Sequence, residues 1–293
     1  MKSFIYDVYG YLLDKDEQEF LYDGFKFVVE RNTKNPLETE EMNAFIISLS
    51  SSLYNKKAYI VPTRDDKLIA MSEFKEVSLV GVEVFNVTFN DVLKMHQDNM
   101  RMDDKVKLSS IKNRWIDKVN FIEEKVIPSI KVEDYYYQML IICVIHSIGM
   151  ANNAISYLQD TIIDFGDNVK ITTLTHKRLS LNSYDLLNPF NLIVDSPLRD
   201  IAELYKNEEI DDQELISYFI SNNVNPKEVS IFFARLLYPT KIFDLLEKNY
   251  QKRGDIIEGI STYFNNVDKM MSRIKKIHNY LVENYGIRKL TWL

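Results

Sequence analysis

The sequence predicts an α+β fold of two lobes: a small β-rich lobe over residues 1–87 and a larger helical lobe over residues 88–293. Two observations carry this. Aromatic and β-branched runs separated by charged turns dominate up to about residue 85, and apolar residues recur at helical spacing from about residue 88 onward. Gly (8) and Pro (7) are scarce in the 293 residues, so long linkers and low-complexity stretches are not expected, and no internal repeat is visible.

In chain order, "SFIYDVYGYLL" and "EFLYDGFKFVVER" read as strands separated by the charged turn "DKDEQ". "NPLETEEMNAFIISLSSSLY" reads as a helix capped by Thr39, with acidic residues in its first turn. "AYIVPTRDDKLIAM" reads as a hairpin around Thr63–Asp66, and "EVSLVGVEVF" as a continuously apolar central strand. A hinge and a ligand cleft are expected around Glu83–Val87.

Thr88 is the expected N-cap of the next helix, "TFNDVLKMHQDN". Ile111, Trp115, Val119, Ile122 and Val126 form one stripe on a helix that Pro128 closes. "VEDYYYQMLIICVIHSIGMANNAISYLQDTI" is apolar nearly all round and is expected to be a buried central helix. A short helix "LRDIAELYK" and two amphipathic segments, "DDQELISYFISNN" and "PKEVSIFFARLLYPTKIFDLLEKNYQ", come next. A long last helix is expected from about Asp255 to Tyr285. Its inner face is read as Ile257, Ile260, Phe264, Val267, Met271, Ile274 and Leu281, before an apolar tail that docks back.

Net charge of −7 keeps nucleic acid and anionic lipid away rather than drawing them in. The best basic cluster, Arg273–His278, sits at helical spacing and reads as a solvated face. Cys143 is the single cysteine, so an internal disulfide is impossible and a reducing compartment is expected. The N-terminus mixes charges with apolar residues, unlike a signal peptide. The longest apolar run, residues 139–151, falls short of the ~20 residues of a membrane span.

Asp164-Phe165-Gly166 matches the magnesium-binding triplet of protein kinases, but it precedes His176-Lys177-Arg178, where a kinase has the reverse order. The triplet is read as coincidence, Phe165 as a loop anchor and Gly166 as a turn residue. The informative run is "THKRLSLNSYDLLNPFNLIVDSPLRDIAE". A phosphotransferase loop reads His-Gly-Asp-x-x-x-x-Asn and is followed by a strand ending in a metal Asp. Here His176 is kept, Lys177 replaces the Gly and Arg178 replaces the catalytic Asp. Ser183 takes the Asn position, with Asn182 one residue early, and Asp195 ends the strand. A guanidinium cannot serve as a base, because its pKa lies above ~12. Arg178 is expected to lock the loop by pairing with Asp195 or Asp200; a ligand-binding role is the alternative.

"LTHKRL", "NPFNLIVDSPLRDIAELYK", "FFARLLYPTKIFDLLEKNY" and the terminal "WL" together resemble the CotS/YutH-type spore coat proteins of endospore-forming bacteria, which are related to aminoglycoside and choline phosphotransferases. The resemblance is strongest in the C-terminal half. It implies a protein kinase-like fold with a degenerate site and association with other spore coat proteins, in the mother-cell cytoplasm or the coat itself. The remnant site it implies is His176, Arg178, Ser183, Asn191, Asp195 and Asp200, with Asp200 the buried helix-start Asp that supports the loop. The phosphate-anchoring Lys has no convincing counterpart in "FKFVVERN", where Lys26 and Arg31 are the candidates, and "DVYGYLLDKDEQEF" holds one Gly where a Gly-rich loop would stand.

Three functions follow. The first is a catalytically inactive structural or interaction protein that needs no cofactor. The second is an ATP- and magnesium-dependent small-molecule phosphotransferase, with Asp195 as the metal ligand and Asp185 as a candidate base. The third is a nucleotide or small-ligand sensor using Arg178 as an anion clamp. His96, His146 and His278 show no metal-ligand spacing, and each is read, like Cys143, as an ordinary core or surface residue.

Overall fold

The computed structural model describes residues 1–73, 75–102, 106–131, 136–250 and 257–293. They group into two compact units: residues 1–101 with 173–200, and residues 102–172 with 201–293.

The first unit opens with a helix, α1 (Lys2–Tyr9), where a strand was expected. Phe4, Val8 and Tyr9 fall on one helical face, which packs on the sheet with Phe27, Val61 and Leu79. Gly10 ends the helix at φ 86°, a left-handed conformation that favours glycine. The second expected strand is a hairpin, β1 (Glu19–Tyr22) and β2 (Phe25–Arg31). Its turn is Asp23-Gly24, both at positive φ. Asp-Gly between alternating apolar residues is a hairpin signal.

Helix α2 (Pro36–Tyr54) lies as expected, but its cap is Asn35, not Thr39. Asn35 accepts from the Glu38 N–H while Glu38 accepts from the Asn35 N–H, a reciprocal box with Pro36 in the first turn. Thr39 is one turn in and bonds Asn32 instead.

Strand β5 (Lys75–Glu83) is central, as its continuous apolar run suggested. It pairs with β2 on one edge, and with β3 (Ala58–Val61) and β4 (Ala70–Ser72) on the other. The expected β3–β4 hairpin is therefore not formed. Both strands use β5 as partner, because its nine residues are long enough to take them in succession. Helix α3 (Phe89–Asp98) starts after Thr88, whose N–H and hydroxyl donate to Asp91. The unit also contains β7 (Ile171–His176) from Thr173 on and β8 (Leu192–Asp195), paired antiparallel with Thr173 opposite Asp195 and His176 opposite Leu192. The short strand β6 (Arg101–Met102) precedes them. Between β7 and β8 stands the five-residue helix α6 (Ser183–Leu187), and after β8 comes α7 (Leu198–Lys206).

In the second unit, α4 (Leu108–Phe121) runs into a π turn over Ile122–Val126 before Pro128 ends the segment. Ile111, Val119, Ile122 and Val126 of the stripe are buried, and Trp115 stacks on Tyr238 at 4.3 Å. Helix α5 (Tyr137–Phe165) buries Leu140, Cys143, Val144, Ser147, Ala151 and Ala154, all on one face. Contrary to expectation its opposite side is open, with Ile142, Ile145 and Ile163 exposed. At 29 residues it is long and apolar enough to cross a membrane, which the shorter run counted from sequence did not suggest. Its buried positions repeat every three or four residues, as in the core helix of a bundle.

Helix α8 (Asp212–Ser221) follows α7. The next expected segment is divided by Pro239 into α9 (Pro226–Leu237) and α10 (Thr240–Tyr250), since proline cannot continue the hydrogen-bond ladder. Helix α11 (Ile257–Tyr285) buries Ile260, Ile274, Ile277, His278 and Leu281, while Phe264 faces outward. Ile287 anchors the tail. The expected starts of α5 at Val132 and of α11 at Asp255 lie outside the described residues.

Candidate functional site

The segment from His176 to Asp200 is held together by one buried carboxylate. Asp200, in the first turn of α7, is wholly buried. One of its oxygens accepts the His176 N–H at 2.9 Å. The other meets His176 Nδ1 at 2.7 Å and His96 Nε2 at 2.9 Å. His176 Nε2 lies 3.0 Å from the Leu186 carbonyl, so both ring nitrogens face acceptors and a doubly protonated imidazole suits the site. Burial pushes the His176 pKa down, but Asp200 and the Leu186 carbonyl outweigh it and hold the group above its ordinary value. Burial likewise pushes Asp200 up, and the two histidines overcome that to hold it well below the usual carboxylate range.

Asp195, at the end of β8, is 2% exposed. Its Oδ1 accepts the Ser196 N–H at 2.7 Å, and its Oδ2 lies 3.1 Å from Arg199 Nη1. The same guanidinium donates to the His176 carbonyl at 2.6 Å and to the Lys177 carbonyl at 3.2 Å. Arg199 thus ties the end of β7 to the end of β8. Of the two carboxylates offered to Arg178 by the sequence, Asp200 is taken up by the two histidines.

Asn191 fastens the loop to itself. Its amide accepts from the Arg178 N–H at 3.1 Å and donates to the Arg178 and Asp185 carbonyls at 2.6 and 2.8 Å. This gives Arg178 a fixed backbone while its half-buried side chain donates to the Lys177 carbonyl. Ser183 is buried as the first residue of α6. Asn182 is that helix's cap: its Oδ1 accepts from the Asp185 N–H and its Nδ2 donates to Asp185 Oδ2, both at 2.8 Å. Ser180 donates to that same oxygen at 2.8 Å. Asn86, in the stretch read as a hinge, forms an isolated antiparallel bridge with Asn182.

All six residues singled out from sequence therefore lie in this one stretch. His96, Arg199 and Glu30 were missed as members. Glu30, on β2, accepts from Tyr184 Oη and Asn188 Nδ2, each at 2.7 Å. Arg199 is marked in the sequence by its i,i+4 spacing from Asp195. His96 and Glu30 lie 104 and 154 residues from their partners Asp200 and Tyr184, and no local pattern links them. Asp164 and Phe165 close α5, Gly166 turns away at φ 83°, and Asp164 pairs with Arg288. The triplet is thus a helix end. Lys26 pairs with Glu19, and Arg31 is exposed.

Solved structures resemble this fold at low identity. An aminoglycoside phosphotransferase from Alicyclobacillus acidocaldarius subsp. acidocaldarius DSM 446 matches with a TM-score of 0.54 and 12% identity, over 91% of this chain and 93% of that one. Spectinomycin phosphotransferase APH(9)-Ia, in complex with ADP and spectinomycin, matches with a TM-score of 0.48 and 10% identity, over 94% and 92%. The first of these likenesses carries the fold, which is protein kinase-like, as the sequence resemblance implied. No curated protein matches the chain. A family model described as "Spore coat putative kinase YutH" matches residues 2–283, nearly the whole length, and the chain belongs to that family.

Proposed function

We propose that the protein is a catalytically silent, kinase-like component of the spore coat that acts through contacts with other coat proteins and not by phosphoryl transfer. The family supports the coat association. The observation that carries the silence is the Asp195–Arg199 pair. Asp195 is the carboxylate that the loop pattern offers to magnesium. It is buried, one oxygen is spent on a backbone N–H and the other on a guanidinium. A cation beside that oxygen repels a divalent metal.

The rest of the loop supports the same reading. Arg178 stands where a base would be needed and cannot accept a proton. Asn182 is committed to capping α6. Asp185, the alternative base, already accepts from Ser180 and Asn182. The residues present do not fit a magnesium nucleotide.

The test is thermal unfolding with and without millimolar ATP and magnesium. A ligand present at a hundred times its Kd adds about 2.7 kcal/mol to stability. The expected shift is zero. A clear nucleotide-dependent stabilisation that disappears in Asp195→Ala would refute the proposal and point to a working phosphotransferase.

A further inference from the structure

The two faces of β2 have different fates. Phe25, Phe27 and Val29 pack on the α1 side around Tyr9, Val61 and Leu79. Alternation along a strand puts Lys26, Val28 and Glu30 on the other side. There Glu30 Oε1 receives two donors, Tyr184 Oη and Asn188 Nδ2, each at 2.7 Å. Tyr184 is the second residue of α6 and Asn188 is its C-cap, so a single carboxylate grips both ends of that helix. Lys26 Nζ lies 5.4 Å from the centre of the Tyr184 ring. Tyr184 and Asn188 are both buried. Burial first, and the nearby Glu30 next, push the Tyr184 hydroxyl up, so it stays protonated and remains a donor.

From this geometry we infer that Glu30 is a latch. It fastens the strap of residues 179–191 against the sheet, so that this side of β2 is covered by the chain's own side chains. The inference extends the silent-site reading and rests on it for its meaning. Bonds to a charged acceptor are the stronger kind, and two converge on one oxygen here. Removing the carboxylate strands a buried hydroxyl and a buried amide, both of which, among the described residues, donate to Glu30.

Hydrogen–deuterium exchange of the full chain tests the latch without any nucleotide. In Glu30→Ala, peptides covering residues 179–191 should exchange about tenfold faster or more, while the β2–β5 ladder keeps its protection. Glu30→Gln, whose amide oxygen still accepts, should fall between. Unchanged protection of 179–191 in Glu30→Ala overturns the latch. If that variant does not fold, Glu30→Gln and Tyr184→Phe carry the test. Each should speed exchange of the same peptides, with a less than multiplicative effect in the double variant, and fully multiplicative effects overturn the pairing. The two readings fail separately. Protection of the unsubstituted chain by ATP and magnesium defeats the silent site and leaves the latch standing, whereas unchanged exchange in Glu30→Ala does the reverse.

Discussion

Asp200→Ala is the most informative single change. The carboxylate has no solvent contact and accepts three hydrogen bonds, from the His176 N–H, His176 Nδ1 and His96 Nε2. Its removal leaves His176 Nδ1, the His176 N–H and His96 Nε2 without this acceptor, all in buried positions. Breaking a buried ion pair by deleting one partner costs about 3–5 kcal/mol. At about 2–4 °C of Tm per kcal/mol for a chain of this order of size, the melting temperature should drop by about 6–20 °C. Calorimetry reads the drop, and urea midpoints should move in parallel at unchanged slope. A cycle with His176→Ala isolates the pair: the double variant should be no worse than about the larger single effect. A loss below about 1 kcal/mol, or full additivity in the cycle, would refute the view that this carboxylate holds the loop.

Two further outcomes follow from the same contacts. His176 is raised above its unfolded value of 6.5, so its contribution to stability is complete below that pH and is lost as pH rises through the folded value. Asp200 is lowered from 3.8, so its contribution is present above that pH and is lost as pH falls through the folded value. Urea midpoints measured from pH 6.5 upward should therefore decline in the wild type and decline less in His176→Gln; parallel slopes would exclude the pair as the cause. Separately, Gly81→Ala should destabilise by about 1–3 kcal/mol, because a Cβ there would stand 2.7 Å from Phe27 Cε1, and Phe27 is itself stacked on Phe20. Chemical denaturation that finds Gly81→Ala as stable as wild type would show that the ring can move aside.

Much of the fold is local and could be read locally. The central strand β5 announces itself by the run Val77–Val82, broken by Ser78 alone, and α2, α3, α4 and α11 by spacing and by their flanking signals. Elsewhere competing local signals have comparable weight. The aromatic-rich start of the chain suits a strand as well as a helix, and packing on the sheet decided for α1. Asn35 and Thr39 are both cap residues, and the winner is the one with Glu three positions on and Pro just after it. The exposed side of α5 could not be read either, since composition records how apolar a helix is and not which neighbours cover it.

For the loop, the sequence by itself determined the residues and their order: a kept His176, an Arg178 that cannot act as a base, and the carboxylates Asp195 and Asp200 downstream. Those are statements about side-chain chemistry, which needs no fold. Only the tertiary structure decided what each carboxylate does. Asp200 is shared between His176 and His96, Asp195 belongs to Arg199, and Glu30 holds both ends of α6 from a strand more than 150 positions earlier. A charge finds its partner by proximity in three dimensions, and burial then sets what the contact is worth. The chain order carries neither quantity.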